Sequence, residues 1–133
     1  MKRAELIVII AVVAVIILAA LLFLRGDEDT WIKDGRGVWI AHGKPSQTPD
    51  EVKQQQDAIQ LAEKFFDNSK KAGQDFSAGP CLGVFQTDWV LDVVHNPRDK
   101  SDDEAKNQCA AYNSGQAHHF IEMDLTGQVV RVQ

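Results

Sequence analysis

This chain should fold as an α+β protein: an N-terminal transmembrane helix, then a small α-β-β-α-β-β domain with a four-stranded antiparallel sheet and helices on one face. Three patterns carry that expectation. Leu6 to Leu24 is an unbroken run of Leu, Ile, Val, Ala and Phe. The stretch after Pro49 repeats apolar residues at helical spacing. Four short segments further on carry strand signals, alternation clearest in the last two, and turn residues separate them.

The apolar run is 19 residues long and as a helix spans roughly 28 Å, close to the hydrocarbon thickness of a bilayer. A helix satisfies its own backbone groups, as lipid demands. Lys2 and Arg3 precede the run, and Arg25 is followed at once by Asp27, Glu28 and Asp29. The positive-inside bias then places the N-terminus in the cytoplasm and the rest of the chain outside the cell membrane. Arg25 on the outer side can snorkel to headgroups. Bulky Leu22, Phe23 and Leu24 before Gly26 do not make a small-x-small cleavage site, so the segment reads as an uncleaved signal-anchor. The organisation expected is 1–25 as cytoplasmic tip and anchor, 26–47 as spacer and irregular arm, and 48–133 as the extracytoplasmic domain.

Composition narrows the partners. The formal charge is −5, and setting aside Lys2, Arg3, Arg25 and Glu5 leaves 11 basic and 18 acidic residues, a net of −7. Such a surface repels phosphate backbones, which argues against nucleic acid, and it disfavours lying flat on anionic lipid. Contact with the bilayer is assigned to Leu6–Leu24 alone.

Trp31 sits either at the membrane interface or in the core. Asp34-Gly35 is a turn signal between apolar flanks, so Trp31–Ile40 forms a short hairpin or an irregular arm. Thr48-Pro49-Asp50-Glu51 starts a helix, with Thr48 as cap, Pro49 at N1 and Glu51 closing a capping box. Val52, Ile59, Ala62 and Phe66 form its apolar stripe, Leu61 and Phe65 widen it, and Gln55 falls on the polar face. The helix is expected from about Pro49 to Lys71, stopped by Gly73.

Cys81–Phe85 and Trp89–His95 read as two strands around Gln86-Thr87-Asp88. Ser101-Asp102-Asp103-Glu104 reads as a second capping box, opening a helix to about Tyr112. Phe120–Leu125 and Gln128–Val132 flank Thr126-Gly127. A two-residue turn there pairs Met123 with Val130, Ile121 with Val132, and Glu122 with Arg131. A bulged three-residue turn would point Arg131 inward, so the pattern selects the first register.

Cys81 and Cys109 are the two cysteines. In an extracytoplasmic domain an even pair reads as a disulfide. It would close a loop of about 29 residues and contribute on the order of 3–4 kcal/mol. Two reduced core thiols are the alternative.

No catalytic constellation, metal set or cofactor signature stands out. His118 and His119 are adjacent at a strand entrance and point to opposite faces, so they do not chelate together. The glycines form no phosphate loop. Asp92, Glu122 and Asp124 should lie on the sheet face away from the long helix, where one reading is an ordinary solvated face and the other a shallow binding surface built with Phe120, Val90, Val94 and Val129. His95-Asn96-Pro97-Arg98 is a polar loop of the kind that carries recognition. Acid/base chemistry would need a pocket lined by His95, Asp92 and Glu122.

Two stretches carry resemblances. Gly37-Val38-Trp39-Ile40-Ala41-His42-Gly43-Lys44-Pro45-Ser46 resembles a segment just outside the anchor in small uncharacterised single-pass membrane proteins of archaea and uncultured lineages. Ile121-Glu122-Met123-Asp124-Leu125-Thr126-Gly127-Gln128-Val129-Val130 resembles the closing hairpin of PepSY-like domains, which implies an extracytoplasmic regulator or inhibitor of an envelope or secreted protease. The residues themselves point to a protein- or peptide-interaction module in the cell envelope.

Overall fold

The computed structural model describes residues 2–25 and 29–133. The spacer at 26–28, and with it Asp27 and Glu28 of the flank that argued sidedness, lies outside the described residues. Contacts divide the chain into two units, Met1–Ile32 with Ala41–Thr48, and Lys33–Ile40 with Pro49–Gln133.

In the first unit, α1 runs Arg3–Arg25. Its apolar stretch has a mean hydropathy of 3.6 over Arg3–Phe23, long and apolar enough to cross a membrane. Leu6 to Phe23 is exposed all round. It is apolar on every side rather than along one stripe. Strands β1 (Thr30–Lys33) and β2 (Trp39–His42) form a two-stranded sheet, so the arm is a hairpin, of which Lys33–Ile40 is counted in the second unit. Trp31 is half-buried, and its indole N–H donates to the Gln47 carbonyl at 2.9 Å.

The second unit holds the core. Helix α2 is Asp50–Lys71. It begins after Pro49 with no side-chain cap, which corrects the capping box expected from Thr48. Asp50 and Glu51 in the first turn and Lys70 and Lys71 in the last complement its dipole. Val52, Ala58, Ala62 and Phe66 are buried, and so is Gln55. The Gln55 amide accepts from Trp39 N–H at 2.7 Å and donates to the Gly37 carbonyl at 2.9 Å. It was drawn onto the core side because the arm's backbone needs those partners. Leu61, expected to widen the stripe, is exposed.

The sheet contains β3 (Cys81–Gln86), β4 (Trp89–Val94), β5 (His119–Asp124) and β6 (Val129–Val132) in that spatial order. It is mixed, not antiparallel throughout. β3–β4 and β5–β6 are antiparallel hairpin pairs, but β4 and β5 run parallel from Trp89↔His119 to Val94↔Asp124. A parallel pair needs a crossover, and residues 95–118 supply it. That crossover covers the face opposite α2, so the expectation of helices on one face is also corrected. It is two 3₁₀ turns, Lys100–Asp103 and Ala105–Asn107, then the short helix α3 (Ala110–Asn113), rather than one helix from Ser101 to Tyr112. The capping box that forms is Asp99 with Asp102, not Ser101 with Glu104.

Leu91, Val93, Ile121 and Met123 face α2 and pack with Ala58, Ala62, Phe66 and Phe76. Val90 and Phe120 face the crossover and pack with Cys109 and Ala117.

The closing hairpin corrects the expected turn. Asp124 N–H donates to the Gln128 carbonyl and Gly127 N–H to the Asp124 carbonyl, both at 2.9 Å, which makes a three-residue loop. That loop alone would turn Arg131 inward. A second irregularity cancels the slip: Met123 pairs with Val129 while Glu122 pairs with Arg131, leaving Val130 as a bulge. Ile121↔Val132 and Glu122↔Arg131 are therefore restored as expected, and only the Met123–Val130 pair is lost.

Candidate functional site

Parallel pairing of β4 with β5 sets Asp92 directly beside Glu122. Antiparallel pairing of β3 sets Cys81 opposite Asp92. The crossover then lays Cys109 and Tyr112 over this face, and β6 brings Arg131 to its border. A cavity of about 240 Å³ results, lined by Asp92, Arg98, Tyr112, Phe120, Glu122 and Arg131, with Cys109 in its wall.

Cys81 and Cys109 are disulfide-bonded, with Cα atoms 5.1 Å apart. The bond ties β3 to the crossover, as expected. Asp92 lies against it: a carboxylate oxygen and the two Sγ atoms all lie within 4.8 Å of one another. The two cysteines could ligate a metal beside Asp92 only as thiolates, and here both sulfurs are bonded to each other.

The charges at the cavity are matched in kind and unequal in environment. Glu122 is buried and accepts from Arg98 Nη1 at 3.0 Å; Arg98 Nε reaches Asp103 at 3.1 Å. Arg131 lies over the Phe120 ring at 5.0 Å and donates to Gln133 at 2.9 Å. Tyr112 meets Phe120 edge to face at 4.9 Å. Asp92 differs, because its Oδ1 is buried with no hydrogen-bond partner among the described residues. Burial, above all, pushes its carboxyl up to about 7; the neighbouring Glu122 charge adds to the rise, Arg98 opposes it and Asp102 adds a little. Asp92 therefore exchanges a proton near neutrality, a property that clusters at functional sites.

The residues expected to share an open surface are separated. Asp92, Glu122 and Phe120 meet at the cavity. Val90 and Val94 are buried beneath the crossover and expose no surface. Val90 packs with Cys109 and Ala117, which is why that face is not solvated. His95 does not line the cavity. Its Nδ1 contacts Asp102 Oδ1 at 2.8 Å and its N–H donates to the same carboxylate at 3.2 Å. The Asp102 bond holds the His95 imidazole above its ordinary pKa. Burial works to raise the Asp102 carboxyl, but donors from Asp99 and His95 outweigh it and hold it low. Asp124 caps its own turn, accepting from Thr126 Oγ1 at 2.6 Å and Gln128 N–H at 3.0 Å.

Tyr112 and Asp102 were not singled out as site residues, Arg98 was named only within the polar loop after the second strand, and Arg131 only as the partner of Glu122. Their roles depend on the crossover's path, which no local pattern encodes. His118 and His119 do converge on one group, the Asp88 carboxylate at the β3–β4 turn, at 2.6 and 3.6 Å through its separate oxygens.

No protein family, curated protein or solved structure matches this chain. Chemically, the site offers one neutralisable acid, one ion-paired acid, two guanidinium groups and an aromatic wall, all beside a disulfide.

Proposed function

We propose that this chain is a membrane-anchored extracytoplasmic module that binds a protein or peptide segment at the Asp92 cavity. The cavity is the observation that carries the reading. At about 240 Å³ it lies below the usual range for whole ligands and suits a single side chain or a chain end. Aromatic and arginine side chains around a small desolvated centre are the make-up of a binding hot spot. Placement outside the membrane is supported by α1, by the basic residues ahead of it, and by a disulfide of the kind that persists in oxidising compartments.

A photo-crosslinking residue at Asn113, on the cavity's rim, tests the binding reading in membranes of a cell that expresses the chain. Mass spectrometry should recover a reproducible partner whose yield falls in Arg131→Glu. Recovery of no reproducible partner counts against the reading. A second reading, regulation of an envelope or secreted protease, is supported by the β5–β6 hairpin that carries the PepSY-like resemblance. Unchanged proteolysis when the full chain is added to co-occurring proteases would remove it.

A further inference from the structure

We propose that the Cys81–Cys109 bond is a thiol-exchange site, in which Asp92 protonates the sulfur that leaves. The inference does not depend on which segment the cavity binds and needs only that a thiol can enter it. Three features of this disulfide bear on its chemistry. Cys109 forms part of the cavity wall, so one end of the bond belongs to a residue that borders a space open to solvent. The Gly83 N–H points at Cys81 Sγ, 3.2 Å away. That donor is aimed by a break in the β3–β4 register between Cys81 and Gly83, where Gly83 takes a φ of +96° that side chains disfavour. A hydrogen bond to sulfur stabilises the thiolate more than the disulfide. Finally, the Asp92 carboxyl lies within 4.8 Å of both sulfurs, and its Oδ1 is otherwise unpartnered. A carboxyl buried beside a disulfide costs stability, and an apolar side chain would fill the position better.

The step balances with an external thiol as the only co-reactant. A thiolate RS⁻ attacks Cys109 Sγ. The new R–S–Sγ bond forms as the Cys81–Cys109 bond breaks, and its electron pair leaves on Cys81 Sγ. The Asp92 proton passes to that sulfur. The products are a mixed disulfide on Cys109, a Cys81 thiol and an Asp92 carboxylate. A second thiolate attacking the R sulfur releases RSSR, and Cys109 takes a proton from water. The Arg98 and Arg131 guanidinium groups at the cavity favour an anionic thiol. Asp92 is faced by Glu122 from β5, Asp102 from the first 3₁₀ turn and Arg98 from the loop after β4, with Arg131 of β6 and Tyr112 of α3 in the same wall.

The test uses the full chain in detergent micelles, reduced glutathione as probe, and alkylation with intact-mass detection from pH 5.5 to 8.5. Rates are expressed per thiolate. The wild type should form the mixed disulfide on folded protein, with a per-thiolate rate that falls about tenfold or more across neutrality as Asp92 loses its proton. Asp92→Asn should be about tenfold slower at pH 6 and flat with pH. If Asp92→Asn matches the wild type at pH 6 and exceeds it at pH 8, Asp92 merely repels thiolate and the proton-donor role is wrong. A flat wild-type profile, or a bond that opens only when circular dichroism shows unfolding, overturns the proposal. If Asp92→Asn does not fold, the wild-type profile decides alone.

Discussion

Asp92 shows how a single residue can set the pH response of a whole domain. Its carboxyl is raised from 3.8 to about 7, chiefly by burial. Below the lower value both folded and unfolded chains hold the proton, and Asp92 has no effect on stability. Between the two values the unfolded chain releases it while the folded one does not, so folding becomes less favourable as pH rises; above 7 the cost is complete. His95 acts in the same sense. Its pKa is raised by Asp102, so its contribution is present in full below 6.5 and is lost as pH climbs through the folded value. Thermal melts of the wild type should therefore show falling stability from about pH 5 to pH 8. Asp92→Asn should be more stable than the wild type at pH 8 by about 1–3 kcal/mol and equal to it at pH 4; a variant curve parallel to the wild type across the range would refute the assignment. Gly79 is a second decisive residue. It has a φ of +67°, and an added Cβ would run into Asp102 Oδ1 and come within 3.2 Å of the Val93 carbonyl oxygen. Asp102 cannot yield, because it accepts from Asp99 N–H at 2.7 Å and from His95 at 2.8 Å. Gly79→Ala should cost about 2–4 kcal/mol in urea unfolding, from backbone strain and overpacking together. A loss below half a kilocalorie would mean that the Asp102 cluster is softer than its hydrogen bonds imply.

At the scale of elements, what was legible depended on how local the signal was. Helix α2 could be bounded to within a residue because its stripe and its Gly73 stop lie within its own length. The strands were placed because alternation and turn residues are local too. The β5–β6 hairpin is more instructive. Alternation correctly demanded that Ile121 and Val132 share a face and that Glu122 meet Arg131, yet the turn it selected was wrong. A three-residue loop and a bulge at Val130 give the same outcome as a two-residue loop without a bulge, and periodicity cannot tell them apart. Deleting Val130 separates them. If Val130 is the bulge, its deletion keeps Glu122 opposite Arg131 and Ile121 opposite Val132, and the domain should keep its cooperative unfolding transition; in the register without a bulge the same deletion would turn Arg131 toward Met123 and Ile121. Loss of that transition in thermal melts would show that Val130 is paired and that the three-residue loop with its bulge is wrong. The 3₁₀ crossover was missed for the opposite reason: its side chains are committed to distant partners. Asn107 Nδ2 donates to the Ala78 and Ser101 carbonyls at 2.9 and 2.8 Å, and Asp102 turns inward to His95. Those tertiary bonds replaced the helical ones that Ser101–Tyr112 favours by composition.

For the whole molecule, the parallel β4–β5 pair explains both the fold that differed from expectation and the site that no motif announced. Two hairpins predicted from sequence join either edge to edge antiparallel or through a crossover, and only the second leaves a segment to cover the outer face. Because it does, Asp92 and Glu122 became cavity walls rather than surface charges, and the short core gained a second layer. The disulfide clamps that layer at Cys109, so its removal should be felt as more than one lost bond. In the chain-entropy account, opening a loop of about 29 residues costs on the order of 3–4 kcal/mol, a large share of what a domain this small possesses. The double variant Cys81→Ala with Cys109→Ala should lose that much in denaturant unfolding. Hydrogen exchange should rise first over residues 95–118 and only later in β4 and β5, because the crossover is the layer the bond holds. The same bond reports the side of the membrane. Expressed behind its own α1, the chain should carry an oxidised pair, unreactive to thiol probes in intact cells and in rapidly quenched lysates alike. Free thiols reached only after lysis would place the domain in the reducing interior and remove the disulfide, the export and the binding role at one stroke.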